Sequence, residues 1–231
     1  MVFESQVQLL LTLFSVSIIF LVGYYVFLKD SKRRVNRLFF LMSIAATLWG
    51  VMVIGVVTDL EEKYPYILSS IGWIGLAFLA SLFLHLCLLI TEAKNILKKK
   101  IFLVVLYLPS LIVLTVVFFP IPVEEEQAIE KYFSLFYGIY FELCLTAAVI
   151  FLIKRYFSLK SAQERAKLKN FIIGALIPIV PGTIFTMIPT TFRFIFPQLE
   201  FFSAVWHGVF TYYLFALGYL FVAQGVLQHG L

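Results

Sequence analysis

Long apolar runs alternate with short polar connectors along the whole 231-residue chain. Seven of the runs, near 7–28, 38–58, 66–91, 101–120, 133–153, 171–192 and 201–222, are long enough to span a membrane. A hydrocarbon core needs about 20 apolar residues in helical form. Lipid offers the backbone no water, so each run must satisfy its own N–H and C=O groups, and a helix does this within one segment. The pattern predicts an all-α fold: a polytopic membrane protein with a seven-transmembrane-helix bundle forming a single domain over 1–231. The connectors are short, so consecutive spans are expected to be antiparallel neighbours. No internal repeat of the kind found in inverted-repeat transporters is evident.

The connectors differ in charge. Fifteen of the 18 Lys and Arg residues fall in alternate gaps. The first basic gap holds Lys29, Lys32, Arg33, Arg34 and Arg37, and the second holds Lys94, Lys98, Lys99 and Lys100. The third holds Lys154, Arg155, Lys160, Arg165, Lys167 and Lys169. Lys63, Lys131 and Arg193 are all that the other gaps carry. Basic residues in short loops stay on the cytoplasmic side. The N-terminus is therefore expected outside and the C-terminus in the cytoplasm. The first run has no basic segment before it, so it does not read as a cleavable signal peptide. The third basic gap, from Arg155 to Asn170, is helix-prone and could extend a span beyond the membrane.

Composition agrees. Hydrophobic residues make up 62% and charged residues 13% of the chain, against about 25% charged in soluble domains. The net charge of +5 is concentrated on the side expected to face the cytoplasm. There it suits an anionic leaflet, at about 1 kcal/mol per charge. It is not a nucleic-acid signal. The outer connectors are acidic, with Asp59, Glu61 and Glu62 in one and Glu124, Glu125, Glu126 and Glu130 in another. Cys87 and Cys144 lie inside apolar runs without metal-ligand spacing and read as small buried hydrophobes.

Glu142 is the acidic residue deep within a span. A charge at that depth costs at least ~2–4 kcal/mol on insertion scales, so such residues face the bundle or a wet cavity. Apolar surroundings favour its neutral form. It belongs to a small and polar stripe on the fifth span: Ser134, Gly138, Glu142 and Thr146. The sixth span repeats the spacing with Gly174, Pro178, Gly182, Thr186 and Thr190. The seventh carries Ser203, His207 and Thr211, and the third carries Ala77, Ser81 and His85. Such stripes mark close helix packing in membranes. They could also enclose a partly polar cavity among the third, fifth, sixth and seventh spans. Candidate ligand-binding residues there are Glu142, His207, Trp206, Thr146 and Thr186. Tyr137, Tyr140, Tyr212 and Tyr213 are further candidates for lining it. Trp73, Tyr64, Tyr66, Tyr107, Tyr132 and Trp206 read as interfacial anchors.

Pro178, Pro181 and Gly182 form a candidate hinge in the sixth span, because each proline removes a backbone donor and crowds the preceding turn. No metalloprotease, nucleophile-elbow, P-loop or dinucleotide-binding motif occurs. No lysine follows Lys169, so the seventh span cannot hold a retinal Schiff base. No catalytic residue, metal ligand or cofactor is indicated, and the chain is not expected to be an enzyme.

Three segments carry a resemblance. Asn36-Arg37-Leu38-Phe39-Phe40 leads through Ala46 to Trp49 in the second span. Phe83-Leu84-His85-Leu86-Cys87 closes the third, and Arg165-Ala166-Lys167-Leu168-Lys169 precedes Gly174 in the sixth. In this order they resemble the N-terminal seven-helix region of bacterial sensor histidine kinases, which is also found on diguanylate cyclases. The matching residues are Asn36, Trp49 and His85. The resemblance implies a sensory or receptor module in a bacterial inner or plasma membrane, whose last helix signals to a cytoplasmic output domain or partner protein. No kinase, cyclase or HAMP-like segment is present up to Leu231.

The chain is expected to be a module that binds an extracellular or lipid-borne small molecule, peptide or lipid. Its partners would be the bilayer, an output domain or protein, and potentially a second copy of itself, but no nucleic acid. One alternative is a transporter, channel or lipid-handling protein with a polar pathway around Glu142. Another is a membrane interaction subunit with no ligand.

Overall fold

A computed structural model of the chain describes residues 2–58, 60–118, 123–182 and 204–229. The side chains of 2–5, 61–62, 65, 94, 123–135, 182, 204–211 and 229 lie outside this description. The described residues form an all-helical structure. The elements are α1 (Val2–Lys29), α2 (Arg34–Val57), α3 (Leu60–Lys63), α4 (Pro65–Ile90) and α5 (Lys94–Leu97). They continue with α6 (Lys100–Phe118), α7 (Val123–Ser158), α8 (Ala162–Gly182) and α9 (Ala204–His229).

Five of these helices contain stretches long and apolar enough to cross a membrane: Gln6–Lys29, Arg34–Val57, Tyr66–Ile90, Lys100–Phe118 and Phe136–Ser158. A shorter apolar stretch covers Tyr212–Gln228. The predicted sixth span, 171–192, is described only as far as Gly182, where α8 ends. Its first part lies in a helix that starts nine residues earlier, at Ala162.

Local chemistry sets the helix ends. Pro65 opens α4, where its missing N–H costs nothing. Ser161 precedes α8 in a Ser-Ala-Gln-Glu sequence, and the Glu164 N–H donates to Ser161 Oγ at 3.4 Å, one half of a capping box. α4 closes through a Schellman motif: the Ala93 N–H donates to the Leu88 carbonyl and the Glu92 N–H to the Leu89 carbonyl. Glu92 takes the left-handed position that glycine usually fills, with φ of 55°.

One connector differs from expectation and another agrees with it. The acidic outer stretch from Glu124 is helical, because α7 begins at Val123. Carboxylates in a first turn suit the positive end of a helix dipole. The third basic connector is nearly all helix: α7 runs on to Ser158 and α8 starts at Ala162.

α4 is the central element. It packs against α2 on one side and against α6 and α7 on the other. α1 lies between α2 and α9, and α9 makes its most extensive contact with α8. The main core joins Phe39, Met42, Leu86, Leu88, Leu152, Phe171, Tyr212 and Tyr219. Close crossings use glycine: a Cβ on Gly174 would lie 2.6 Å from the Gly218 carbonyl and 2.7 Å from the Val222 nitrogen. Nothing larger fits where α8 meets α9. Cys87 and Cys144 are both buried and free.

The three basic connectors share one end of the bundle. Arg34, Arg37 and Lys98 line one pocket there, and Arg155 at the end of α7 pairs with Glu92 at 2.9 Å.

Candidate functional site

Two polar assemblies cross the apolar bundle. The first ties α9 to α1 and α2 through tyrosine hydroxyls. Ser43 Oγ donates to the Phe39 carbonyl one turn back, at 2.8 Å. The Tyr219 hydroxyl bonds to Ser43 Oγ and also reaches the Phe39 carbonyl, at 3.3 Å. The same device recurs on α1. Thr12 Oγ1 donates to the Gln8 carbonyl at 2.8 Å, and the Tyr213 hydroxyl meets Thr12 Oγ1 at 2.9 Å and the Gln8 carbonyl at 3.1 Å. Between them, the Tyr212 hydroxyl donates to the Ala46 carbonyl at 3.3 Å.

In each repeated cluster three oxygens share two hydroxyl protons. A proton can be passed between acceptors without leaving any carbonyl unsatisfied, since each also keeps its helical N–H bond. Rings complete the seam: Phe39 stacks on Tyr219 at 4.6 Å, and Trp49 meets Tyr212 edge-on at 5.0 Å and Phe215 at 5.9 Å. Asn36, only 4% exposed, donates through Nδ2 to the Val26 carbonyl at 3.0 Å and fastens the start of α2 to α1.

The second assembly ties α4, α6 and α7. Ser110 Oγ donates to the Ala77 carbonyl at 2.6 Å and lies 3.1 Å from Ser81 Oγ. Tyr137 donates to the Leu76 carbonyl, and Tyr140 donates to the Leu106 carbonyl at 2.6 Å. Leu106 lies one residue beyond Val105, whose carbonyl loses its helical donor at Pro109. Nearer the basic end, His85 Nδ1 and the Tyr107 hydroxyl are 2.9 Å apart.

The predicted site residues fall into three groups. Asn36, Trp49 and His85 all sit at helix contacts: Asn36 between α2 and α1, Trp49 in the α9 seam, His85 between α4 and α6. Glu142 is half-buried on α7 and interacts within the fold, whereas Thr146 is on the outer surface of that helix. The stripe of Gly138, Glu142 and Thr146 is thus not the inward face of α7. That face is Tyr137, Cys144, Ala148 and Leu152, because the large aromatic and aliphatic groups fill the space against α4. His207 and Trp206 lie on the α9 backbone with side chains outside the described residues, and Thr186 lies wholly outside them.

The hinge candidates Pro178, Pro181 and Gly182 all fall within α8, which stays helical through both prolines. Pro178 packs onto Gly218: a Cβ there would be 2.7 Å from the proline Cδ. Tyr137 and Tyr212 are buried packing residues rather than cavity walls, since their hydroxyls are spent on carbonyls. Tyr107 and Trp73 are likewise more than interfacial anchors: Tyr107 binds His85, and Trp73 meets Tyr137 edge-on at 5.9 Å. Tyr219 carries a fainter sequence signal than these residues. Its signal is the seven-residue spacing from Tyr212, with Ala216 and Ala223 on the same buried face.

An all-helical chain with several membrane-length apolar helices tied internally by hydroxyls is a multi-pass membrane protein. Residues 11–231 match the family described as the N-terminal 7TM region of histidine kinase, and the chain belongs to that family. Neither the curated proteins nor the solved structures yield a match to it.

Proposed function

We propose that the chain is a membrane sensor module in which α9 carries the signal to a cytoplasmic output domain or partner, with the N-terminus outside. The observation that supports this reading is the seam of Tyr212, Tyr213 and Tyr219 on α1 and α2. α9 is the last described helix. It is held on one flank by exchangeable hydroxyl bonds and on the other by the Gly174–Gly218 crossing with α8. Such an arrangement permits two registers of α9 without exposing a polar group to lipid. A ligand acts on it only by binding the two registers with different affinity. Its site is taken to be the region of Glu142, His207, Trp206 and Thr186, with Pro178, Pro181 and Gly182 moving with α9; Thr146, on the outer surface of α7, is not part of it. The chain itself performs no catalysis in this reading.

A transport pathway is less well supported, because the hydroxyls of Ser110, Tyr137 and Tyr140 are committed to backbone carbonyls between helices. The test uses spin labels at the exposed positions Lys32 and Gln224 of the reconstituted chain. Two distance populations whose ratio changes in Tyr219→Phe are expected. A single distance that is the same in both proteins contradicts a two-register sensor.

A further inference from the structure

The basic end of the bundle holds a pocket of about 730 Å³ between α2, α4 and the α5–α6 connection. That volume lies within the ~300–1,000 Å³ of small-molecule sites. Its chemistry is graded with depth. On α2, Arg34 and Arg37 stand at the rim and Leu41 lies on the same face below them. At about 1.5 Å per residue, Leu41 is about 6 Å deeper than Arg37 and about 10 Å deeper than Arg34. α4 repeats the gradient from Glu92 at the rim to Leu89 and then His85. Lys98 closes the rim from the opposite side, above Leu103 of α6.

The charges are unbalanced in a useful way. Glu92 is matched by Arg155 from α7 at 2.9 Å, outside the set of lining residues. Arg34, Arg37 and Lys98 have no carboxylate partner among the described residues; Arg37 donates to the Lys32 carbonyl at 3.2 Å, which leaves its charge unbalanced. Three cations thus line the same pocket as an apolar trough whose Leu41 is 51% exposed. A soluble anion would satisfy the rim and leave the leucines uncovered. An amphiphile with an anionic head and a hydrocarbon tail satisfies both.

We propose that this pocket binds one anionic glycerophospholipid from the leaflet it faces. Its phosphate sits among Arg34, Arg37 and Lys98, and one acyl chain runs down over Leu41, Leu89 and Leu103. The His85 ring lies at the depth of the chain's upper segment, where its Nδ1 is already held by Tyr107. Basic pockets between helices on the cytoplasmic side are suited to such head groups. The proposal stands independently of the sensor reading.

The test is native mass spectrometry of the full chain in detergent, titrated with phosphatidylglycerol, phosphatidylcholine or inorganic phosphate. One phosphatidylglycerol per chain is expected, retained about tenfold better than phosphatidylcholine. Arg34→Gln with Lys98→Gln should bring that preference down to about twofold. The same charge loss at exposed Lys160 and Lys169, through Lys160→Gln and Lys169→Gln, should leave it unchanged. Leu41→Trp keeps every cation and fills the trough, so it should also reduce retention. It serves as the second variant if the charge variant does not fold. Equal retention of the two lipids, an equal effect of the Lys160/Lys169 pair, or the same binding from inorganic phosphate alone would overturn the proposal.

Discussion

Tyr219 of α9 and Ser43 of α2 share the Phe39 carbonyl, so one buried oxygen joins the last helix to the second. Interhelical hydrogen bonds in membranes contribute about 0.6 kcal/mol on average and about 1.7 at most. Tyr219→Phe and Ser43→Ala are each expected to lower stability by that range in denaturant titrations of micellar protein. Both single changes remove the same Tyr219–Ser43 bond. The double variant should therefore lose less than the sum of the two. Strict additivity would mean that the hydroxyls do not interact.

The Gly174–Gly218 crossing brings two backbones together. Gly174→Val should force α8 and α9 apart and cost about 1–3 kcal/mol by overpacking. At Gly225 a Cβ would lie 2.8 Å from Phe171 Cβ and 3.2 Å from its backbone Cα. Gly225→Ala should cost less, since it adds one methyl and its nearest backbone atom is 3.2 Å away rather than 2.6 Å. Thermal denaturation of the two variants checks the order.

Glu92 has φ of 55°, a conformation that costs a side-chain-bearing residue about 1–2 kcal/mol. Its ion pair with Arg155 is between side chains that are 60% and 34% exposed, so it offsets little of that cost. Glu92→Gly should therefore be neutral or mildly stabilising. Glu92→Val, with a β-branched side chain at positive φ, should be clearly destabilising. Loss of stability in the glycine variant equal to that in the valine variant would show that the ion pair, not the backbone, governs this turn.

Thr47 Oγ1 is a buried hydroxyl with no hydrogen-bond partner among the described residues. Thr47→Val keeps the branched shape and removes the unsatisfied group. The expected result is unchanged or raised stability, by up to about 1 kcal/mol. A fall in stability measured by denaturant titration would mean that the hydroxyl is satisfied in the membrane.

The helices were legible because lipid allows only self-satisfied backbone, so 38–58, 66–91 and 101–120 coincide with α2, α4 and α6 within a few residues. Charge placement showed which connectors belong together, and Arg155–Glu92 and the shared pocket put them at one end. The extension of α7 back to Val123 was hidden because three consecutive glutamates read as a solvated loop. The inward face of α7 was misjudged for a related reason. Gly138, Glu142 and Thr146 form a conspicuous i+4 stripe, whereas the packed face is built from Tyr137 and Cys144, whose apolar bulk looks like any lipid-facing residue in sequence. Tyr219 and Ser43 were not legible as partners, since 176 residues separate them and only the fold brings them together.

The most direct test joins a histidine kinase catalytic region in helical register behind α9 and measures autophosphorylation in vesicles. Tyr219→Phe is compared with Tyr140→Phe, which removes a similar hydroxyl–carbonyl bond between α7 and α6 without touching α9. If α9 carries the signal, Tyr219→Phe should shift basal output by about 3- to 18-fold, the equivalent of about 0.6–1.7 kcal/mol. Tyr140→Phe should stay within about twofold at a comparable loss of stability. Equal shifts in the two variants, or none in Tyr219→Phe, would contradict a signalling role for the tyrosine seam.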